Sequence, residues 1–199
     1  MGKVKRIDKD EKLQMAINLF RRKGFAQTTM ADLVNELSMN RFSLYDAFTD
    51  KESLYKESLD YYLKNVVLKD LEPLRSKEAG TIEIVKYFSG FVSMLHRDPH
   101  GCLLQNALAE RAMSDSDIHR MCDNALDSMA SAVCNALVND IQRGSISKDT
   151  DVDALAALVI TQLYGMRVVS KVRNMEIVER SMRIIESVFN GLRLANSAV

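Results

Sequence analysis

Apolar residues recur at the spacing of an α-helix along almost the whole chain, and this periodicity constrains the fold more than any other feature. Leu13, Ile17 and Phe20 show it first, on one stripe of a single helix. Only two prolines and eight glycines interrupt the 199 residues, and no run alternates as a half-buried strand does. The sequence therefore predicts an all-α protein of about nine helices.

Capping residues mark where these helices begin and end. Gly24 suits a left-handed stop after the first helix. Thr29 with Asp32 forms a capping pair before the second, and Asn40 and Asp50 are good N-caps for a third helix and for a fourth that extends to about residue 71. Longer helices are predicted at residues 81–97, 102–113, 114–143, 151–173 and 175–194.

Two short helices joined by a tight turn, at residues 30–47, have the arrangement of a helix-turn-helix. Leu44 and Phe48 can anchor the second helix, while Arg41, Phe42 and Tyr45 can point outward. Such a helix fits a major groove about 12 Å wide. A helical hairpin that binds protein instead of DNA has the same pattern, and it predicts no salt-dependent affinity for DNA.

The charge distribution permits a polyanionic partner. Residues 1–56 hold eleven Lys or Arg against eight Asp or Glu, a net charge of +3, on a chain that is neutral overall. Lysine and arginine gain affinity for DNA by displacing counterions from phosphate. Three cysteines without framework spacing fit reduced thiols in the cytosol. We see no secretory signal or membrane span, and no motif of an enzyme or cofactor site, so we expect a cytoplasmic protein without a cofactor.

The helix-turn-helix lies in a longer segment that resembles the N-terminal signature of the tetracycline-repressor (TetR) family. The matching marks in residues 13–55 are Ala16, Phe20, Gly24-Phe25, Thr28-Thr29, Leu33, Leu44-Tyr45, Phe48, Lys51-Glu52 and Leu54. The resemblance implies a three-helix DNA-binding head at residues 1–50. It also implies a larger helical body for ligand binding and dimerisation at residues 51–199. It further implies a homodimeric regulator, most simply a repressor, that leaves a pseudo-palindromic operator when a small ligand or electrophile acts on it.

The resemblance also implies roles for individual residues of the head. Thr29, Tyr45 and Lys51 would contact phosphates. The start of the recognition helix would reach base edges and phosphates through Asn40, Arg41, Phe42 and Ser43.

Arg41 could read guanine with its forked donors or only clamp a phosphate, and both interpretations stay open. Two residues depart from the family pattern. Ser38 replaces the usual turn glycine, and Asp46 stands where many members carry histidine. Asp46 either accepts from a cytosine amino group or faces away.

For the body, we expect an apolar pocket rich in methionine, which adapts to irregular ligands. Its candidate ligand-binding or sensing residues are Phe88, Phe91, Leu95, Cys102, Leu103, Asn106, Met121 and Met129. Apolar residues at helical spacing are more often plain core, so that alternative stays open for each of them.

The segment from Gly101 to Glu110 resembles a GCL-x-x-N-x-x-x-E pattern in one subgroup of the family, in which the cysteine sometimes senses electrophiles or oxidants. A helix N-terminus lowers the pKa of a thiol, so Cys102 is a candidate sensor. The alternative is a small buried thiol that packs the helix start. His119 with Cys122 could suggest a metal, but no metal-ligand spacing supports a site, and none is expected.

The last two helices, within residues 151–194, carry broad apolar stripes, including Val159, Leu163 and Met166. An intrachain core would explain such stripes, but the resemblance favours a homodimer interface.

Overall fold

The computed structural model describes residues 8–98, 100–172 and 174–196, with side chains up to residue 193. All regular secondary structure in these residues is helical, which confirms the all-α prediction. The elements are α1 (Lys9–Gln27), α2 (Met30–Glu36), α3 (Arg41–Phe48), α4 (Lys51–Tyr62), a π-helical turn (Leu63–Val67), α5 (Leu68–Asp70), α6 (Glu72–Arg75), α7 (Thr81–Arg97), α8 (Leu103–Glu110), α9 (Ser116–Gln142), α10 (Val152–Ser170) and α11 (Met175–Asn196).

Most predicted boundaries lie close to the observed ones, and α7 has the predicted bounds. The predicted fourth helix is divided by the π-helical turn, and the short α5 and α6 raise the number of helices in the described residues above nine. α8 ends at Glu110, before the predicted residue 113. Residue 173, the predicted end of α10, lies outside the described residues.

The chain divides into two compact units. The first holds residues 8–66 and 102–122, and the second holds the described parts of residues 67–101 and 123–199. The predicted boundary at residue 50 separates functions, and it stays a prediction. The contacts group more residues with the head because both α4 and α8 pack against α1.

The core of the first unit forms where α1, α4 and α8 meet. Phe20 and Tyr55 are fully buried, and their rings meet edge to face with centroids 4.9 Å apart. The ring of Phe25 lies 5.0 Å from that of Tyr55. Leu103 and Ala107 of α8 are also fully buried. Side chains that are distant in the sequence therefore hold the head together, mainly by removing apolar surface from water.

In the second unit, α7 packs against α10 and α11. Asp140 of α9 secures the start of α7 by accepting from the Thr81 N–H at 2.7 Å, the Thr81 hydroxyl at 2.8 Å and Arg143 Nη2 at 2.7 Å. Burial alone would raise the pKa of Asp140, but the bonds from Arg143 and Thr81 outweigh it and lower that pKa. The start of α7 thus depends on a buried carboxylate.

Within the described residues, α10 is the one helix long and apolar enough to cross a membrane by length and composition. Asp153 and Arg167 interrupt it, and only 28% of its most apolar window is buried. These criteria do not separate a membrane span from a helix that packs against another protein chain. The core helix of a globular protein meets the same test, so length and composition alone do not assign α10 to a membrane.

Candidate nucleic-acid interface

Helices α2 and α3 form the predicted helix-turn-helix, and each begins at its predicted cap. The Thr29 hydroxyl accepts from the Asp32 N–H at 3.1 Å, and Asn40 Oδ1 accepts from the Ser43 N–H at 2.8 Å. Leu44 and Phe48 of α3 are buried. Capping and burial together fix the orientation of α3, as a recognition helix requires.

The outer face of α3 combines a cation with two exposed aromatic rings. Phe42 is 81% exposed and Tyr45 is 41% exposed. The Arg41 guanidinium lies 5.9 Å from the centre of the Tyr45 ring. Asp46 is also exposed, and Ser43 is half-buried. This face brings together four of the predicted DNA-binding residues, Arg41, Phe42, Ser43 and Tyr45. No other residue of α3 covers the exposed phenyl ring of Phe42.

The turn between the two helices has the left-handed backbone that the family's usual glycine would favour. Ser38 occupies it with φ of 51°. A serine in this region is mildly strained, because its Cβ crowds the neighbouring carbonyl. This departure from the family pattern therefore has a small conformational cost.

Two of the predicted phosphate contacts already have partners within the protein. The Thr29 N–H and hydroxyl both donate to Asp32 Oδ2, at 2.9 and 2.8 Å. Hydrogen bonds from Lys23 and from Thr29 lower the pKa of Asp32 to about 2. Lys51 Nζ donates to the carbonyls of Phe25 and Thr28, at 3.0 and 2.9 Å. A phosphate would have to share these donors, so the roles of Thr29 and Lys51 in DNA binding stay predictions.

Helix α8 binds the C-terminal part of α1 through two side chains of the GCL-x-x-N-x-x-x-E segment. Asn106 Nδ2 donates to the Arg21 carbonyl at 3.3 Å, and Glu110 Oε2 accepts from the Phe25 N–H at 2.8 Å. Gly24, with φ of 77° and ψ of 169°, breaks α1 between these two contacts. The positive φ was predicted, but the conformation is a nearly glycine-only extended one, and helical structure resumes as far as Gln27.

Arg111, which follows α8, was not predicted as a functional residue. Its guanidinium lies 4.2 Å from the centre of the Phe25 ring, and its Nη2 pairs with Glu52 at 2.5 Å and Asp115 at 3.4 Å. Lys56 adds a second cation, 3.0 Å from Asp115. No sequence pattern indicates this network, because Arg111 lies 59 positions from Glu52 in the sequence.

Cys102 is the N-cap of α8, at the helix start where it was predicted. It is only 9% exposed, and its Sγ accepts from the Tyr62 hydroxyl at 3.5 Å. Burial raises the pKa of the neighbouring Cys122 to about 11, and the charge of Cys102 adds to the rise. Limited exposure restricts the access of an electrophile, so sensing by Cys102 stays a prediction. Among the described residues, no cluster could hold a metal ion.

The remaining pocket candidates belong to different units and are described separately. Leu103 is fully buried in the first unit, and Met121 is half-buried there. In the second unit, three candidates share one face of α7, where Phe88 and Leu95 are buried and Phe91 is half-buried. Each of these residues also serves as core, so their role toward a ligand is untested.

Two further observations concern the second unit. Met129 is buried in α9. A surface cleft of about 330 Å³ is lined instead by Arg75, Asp127, Ser128, Ser131, Ala132 and Asn135. None of these residues was predicted. Arg167, which faces Phe91, was not predicted either, because charged residues are rarely buried.

Apolar and small residues that are exposed or half-buried form one continuous stripe on each of the last two helices. Val168 is 56% exposed and Ile184 is 64% exposed. The stripe on α10 consists of Ala154, Ala157, Thr161, Gly165 and Val168. The stripe on α11 consists of Ile177, Ser181, Ile184, Val188 and Gly191.

This finding corrects part of the sequence interpretation. Val159, Leu163 and Met166, assigned to the interface stripe, are buried within the chain. The face of α10 left for a partner is the one with the smaller residues. An added Cβ at Gly165 would meet nothing within 4 Å, so another helix has room to approach closely there.

Comparison with known proteins gives matches over both parts of the chain. Residues 13–58 match the model of bacterial regulatory proteins of the tetR family, and residues 80–185 match the tetracyclin repressor-like C-terminal domain. The HTH-type regulator YezE of Bacillus subtilis is 27% identical over 176 residues, which is 86% of this chain and 90% of that protein. The HTH-type repressor ComR of Escherichia coli is 27% identical over 170 residues, 84% and 81% of the two chains.

A solved structure has the same fold. The regulator CifR, a cysteine mutant complexed with a 26 bp operator duplex, superimposes with a TM-score of 0.76 at 24% identity. The match covers 91% of this chain and 98% of that chain.

Proposed function

This chain belongs to the tetR family of bacterial regulatory proteins, and we propose that it is a homodimeric repressor whose α3 helices bind the two halves of one operator until an effector releases it. It is a DNA-binding transcriptional regulator and not an enzyme. Homodimers and small-molecule effectors are typical of the family. Its working compartment would be the cytoplasm, where the chromosome is accessible.

The outer face of α3 is the observation that carries this proposal. A cation and two exposed aromatic rings stand on a short helix whose opposite side is anchored by Leu44 and Phe48. Exposed aromatic residues on a fixed helix indicate a recognition surface. Base edges in the major groove offer hydrogen-bond acceptors to Arg41 and an apolar methyl group to Phe42.

Each residue on this face suits a different part of the duplex. The forked donors of Arg41 match guanine O6 and N7, and the thymine C5-methyl is the one apolar group that a base edge offers to Phe42. Tyr45 retains a hydroxyl for a phosphate, and Thr29 and Lys51 remain candidates for phosphate contacts. Asn40 acts by capping α3, and Ser43 by supplying the N–H that Asn40 accepts.

The exposed stripes of α10 and α11 support dimerisation. Because these two helices pack together, their stripes can form one surface that a twofold-related copy covers. Four helices would then bury Val168 and Ile184, which are otherwise exposed to water. Two heads related by this axis would bind half-sites about 34 Å apart.

The effector is a reversible small ligand or an electrophile. A ligand would bind among the buried apolar residues of the body, whereas an electrophile would modify Cys102. The second route requires exposure of the thiol of Cys102, a residue that is only 9% exposed in this conformation. We therefore favour the reversible ligand.

The experiment is selection of genomic fragments by the purified protein at near-physiological salt. We expect enrichment of one inverted repeat, with affinity that falls steeply between low and high salt. Arg41→Ala should abolish enrichment, while Arg120→Ala, an exposed arginine outside α2 and α3, should preserve it. Failure to enrich any fragment even at low salt would refute DNA binding and favour the protein-binding hairpin.

The same selection separates the two kinds of effector. An electrophile that releases the wild type but not Cys102→Ala would assign sensing to that thiol. Release of both proteins would assign the modification to another residue, with Cys122 and Cys134 as the other free thiols. Release of neither would leave a reversible ligand as the effector.

A further inference from the structure

The described part of the second unit buries a cation that has no carboxylate within ion-pair distance. Arg167 of α10 is only 6% exposed. Its Nη1 is buried and has no hydrogen-bond partner among the described residues. Among the described residues, the hydrogen bond of Nη2 is to the sulfur of Met94, at 3.9 Å, and sulfur is a weak acceptor. Most of the donors of this guanidinium therefore lack a strong acceptor.

The surroundings of the guanidinium are apolar rather than acidic. Its central carbon lies 4.7 Å from the centre of the Phe91 ring. Phe88 and Leu95, one turn away on either side of Phe91 along the same face of α7, are buried. The aromatic ring compensates part of the lost hydration of the cation through its π face, but it accepts no conventional hydrogen bond.

Asp70 is the carboxylate whose pKa the cation influences, but Asp70 is exposed and forms no ion pair with Arg167. Partial burial raises the pKa of Asp70, and the charge of Arg167 offsets only part of that rise. No ion pair within 4.0 Å joins Arg167 to any carboxylate of the described residues. A buried charge is normally paired or hydrogen-bonded because its desolvation is unfavourable, and Arg167 lacks such pairing.

We propose that Arg167 is the anchor of the effector site and that the effector is a small organic carboxylate with an apolar body. This inference rests on the proposed function, since it names the chemical class of the ligand that releases the repressor. Two parallel N–H···O bonds from the guanidinium to a carboxylate supply the missing acceptors. The apolar body packs on the face of α7 formed by Phe88, Phe91 and Leu95.

The chemistry around Arg167 favours this class over two others. A neutral ligand would leave the cation unpaired, and an inorganic anion would gain no apolar contact with the half-buried ring of Phe91. A carboxylate with an apolar body satisfies both parts of the site. The alternative is that Arg167 binds no ligand and is a structural residue held by Phe91 alone. The experiment must distinguish this alternative from the proposal.

The probes are straight-chain and phenyl-substituted carboxylates of two to ten carbons, each paired with its own amide. Titration calorimetry on the full chain measures the dissociation constant of each pair. We expect at least one carboxylate to bind roughly ten- to 100-fold more tightly than its amide, because a charge-assisted hydrogen bond to a buried cation is strong. At one hundred times its dissociation constant, that carboxylate should raise Tm by about 5–10 °C.

Three variants test the residue. Arg167→Met should abolish the preference for carboxylate over amide, and Arg167→Lys should retain the charge while losing the paired bonds. Arg180→Met removes an exposed arginine of the same unit and should behave as wild type. Removal of an unpaired buried cation does not require loss of stability, so Arg167→Met should melt no lower than wild type.

The remaining outcomes are decisive. Equal affinity of the wild type for every carboxylate and its amide overturns the proposal, whether or not Arg167→Met folds. Equal preference in wild type and Arg167→Met, or equal binding of inorganic phosphate, also overturns it. A carboxylate that binds through Arg167 but leaves operator affinity unchanged overturns its role as effector. Failure of the proposed function would appear separately, as an absence of DNA binding by the protein without any probe.

Discussion

Gly24→Ala should destabilise the protein through a conformation that alanine rarely adopts. Gly24 has φ of 77° and ψ of 169°, in a backbone region occupied almost only by glycine. An added Cβ would also meet the carboxyl carbon of Glu110 at 3.0 Å, with Oε1 closer still. The carboxylate would have to move away from the Phe25 N–H, which it binds at 2.8 Å.

The magnitude follows from these two effects. The backbone strain is about 1–3 kcal/mol, and loss of the solvent-exposed hydrogen bond that Glu110 accepts from the Phe25 N–H adds about 1 kcal/mol. The total of about 2–4 kcal/mol corresponds to a fall in Tm of about 4–16 °C for a chain of this size. Glu110→Ala alone loses only the hydrogen bond, about 1 kcal/mol.

Thermal unfolding of the two single variants and the double variant, at one protein concentration, tests this reasoning. Both single changes remove the same hydrogen bond, so the double variant should be about 1 kcal/mol more stable than additivity predicts. A Gly24→Ala variant that melts within 2 °C of wild type would refute the argument from backbone strain (this limit is roughly half of the smallest expected shift). Strict additivity would refute the displacement of Glu110.

Three other perturbations have defined outcomes. Replacing a contacted thymine by deoxyuridine in both half-sites should weaken wild-type binding about 15-fold in a filter assay, because each lost methyl contact costs roughly fourfold in affinity. The affinity of Phe42→Ala should not change with that replacement. An equal loss of affinity in both proteins would exclude a methyl contact. Ile184→Glu should halve the mass in light scattering and abolish operator binding, whereas Asn190→Glu, on another face of α11, should stay dimeric; a dimeric Ile184→Glu would remove that stripe from the interface. Burial alone would raise the pKa of Asp115, but hydrogen bonds from Lys56 and from backbone N–H groups outweigh burial and lower that pKa to about 2. Its stabilising contribution is therefore present above about pH 4 and lost toward pH 2, and acid unfolding of Asp115→Asn should lack this component; an unchanged acid transition would contradict it.

Local features of the head could be predicted because their causes are close together in sequence. The caps at Thr29 and Asn40 depend on residues three positions away, and the anchors Leu44 and Phe48 share one face of a single helix. The backbone at Ser38 follows from the geometry of a tight turn. The chain there encodes its structure over a few residues, so pattern and structure agree.

The features that escaped prediction depend on contacts between distant residues. Glu110 lies 85 positions from the N–H it binds, and no periodicity connects them. Periodicity could not choose between the faces of α10 either, because both are free of charge over most of their length. Arg167 was missed for a different reason: a charged residue in an apolar helix is normally expected to reach solvent.

The grouping of residues 102–122 with the head has a consequence for how new regulators can be made. A fragment cut after residue 66 would uncover the apolar side of α1 and lose the hydrogen bonds that join Asn106 to the Arg21 carbonyl and Glu110 to the Phe25 N–H. The portable unit of operator recognition is therefore discontinuous in the gene. A chimera that exchanges DNA specificity between two members of the family would need to carry the later segment together with the first helices.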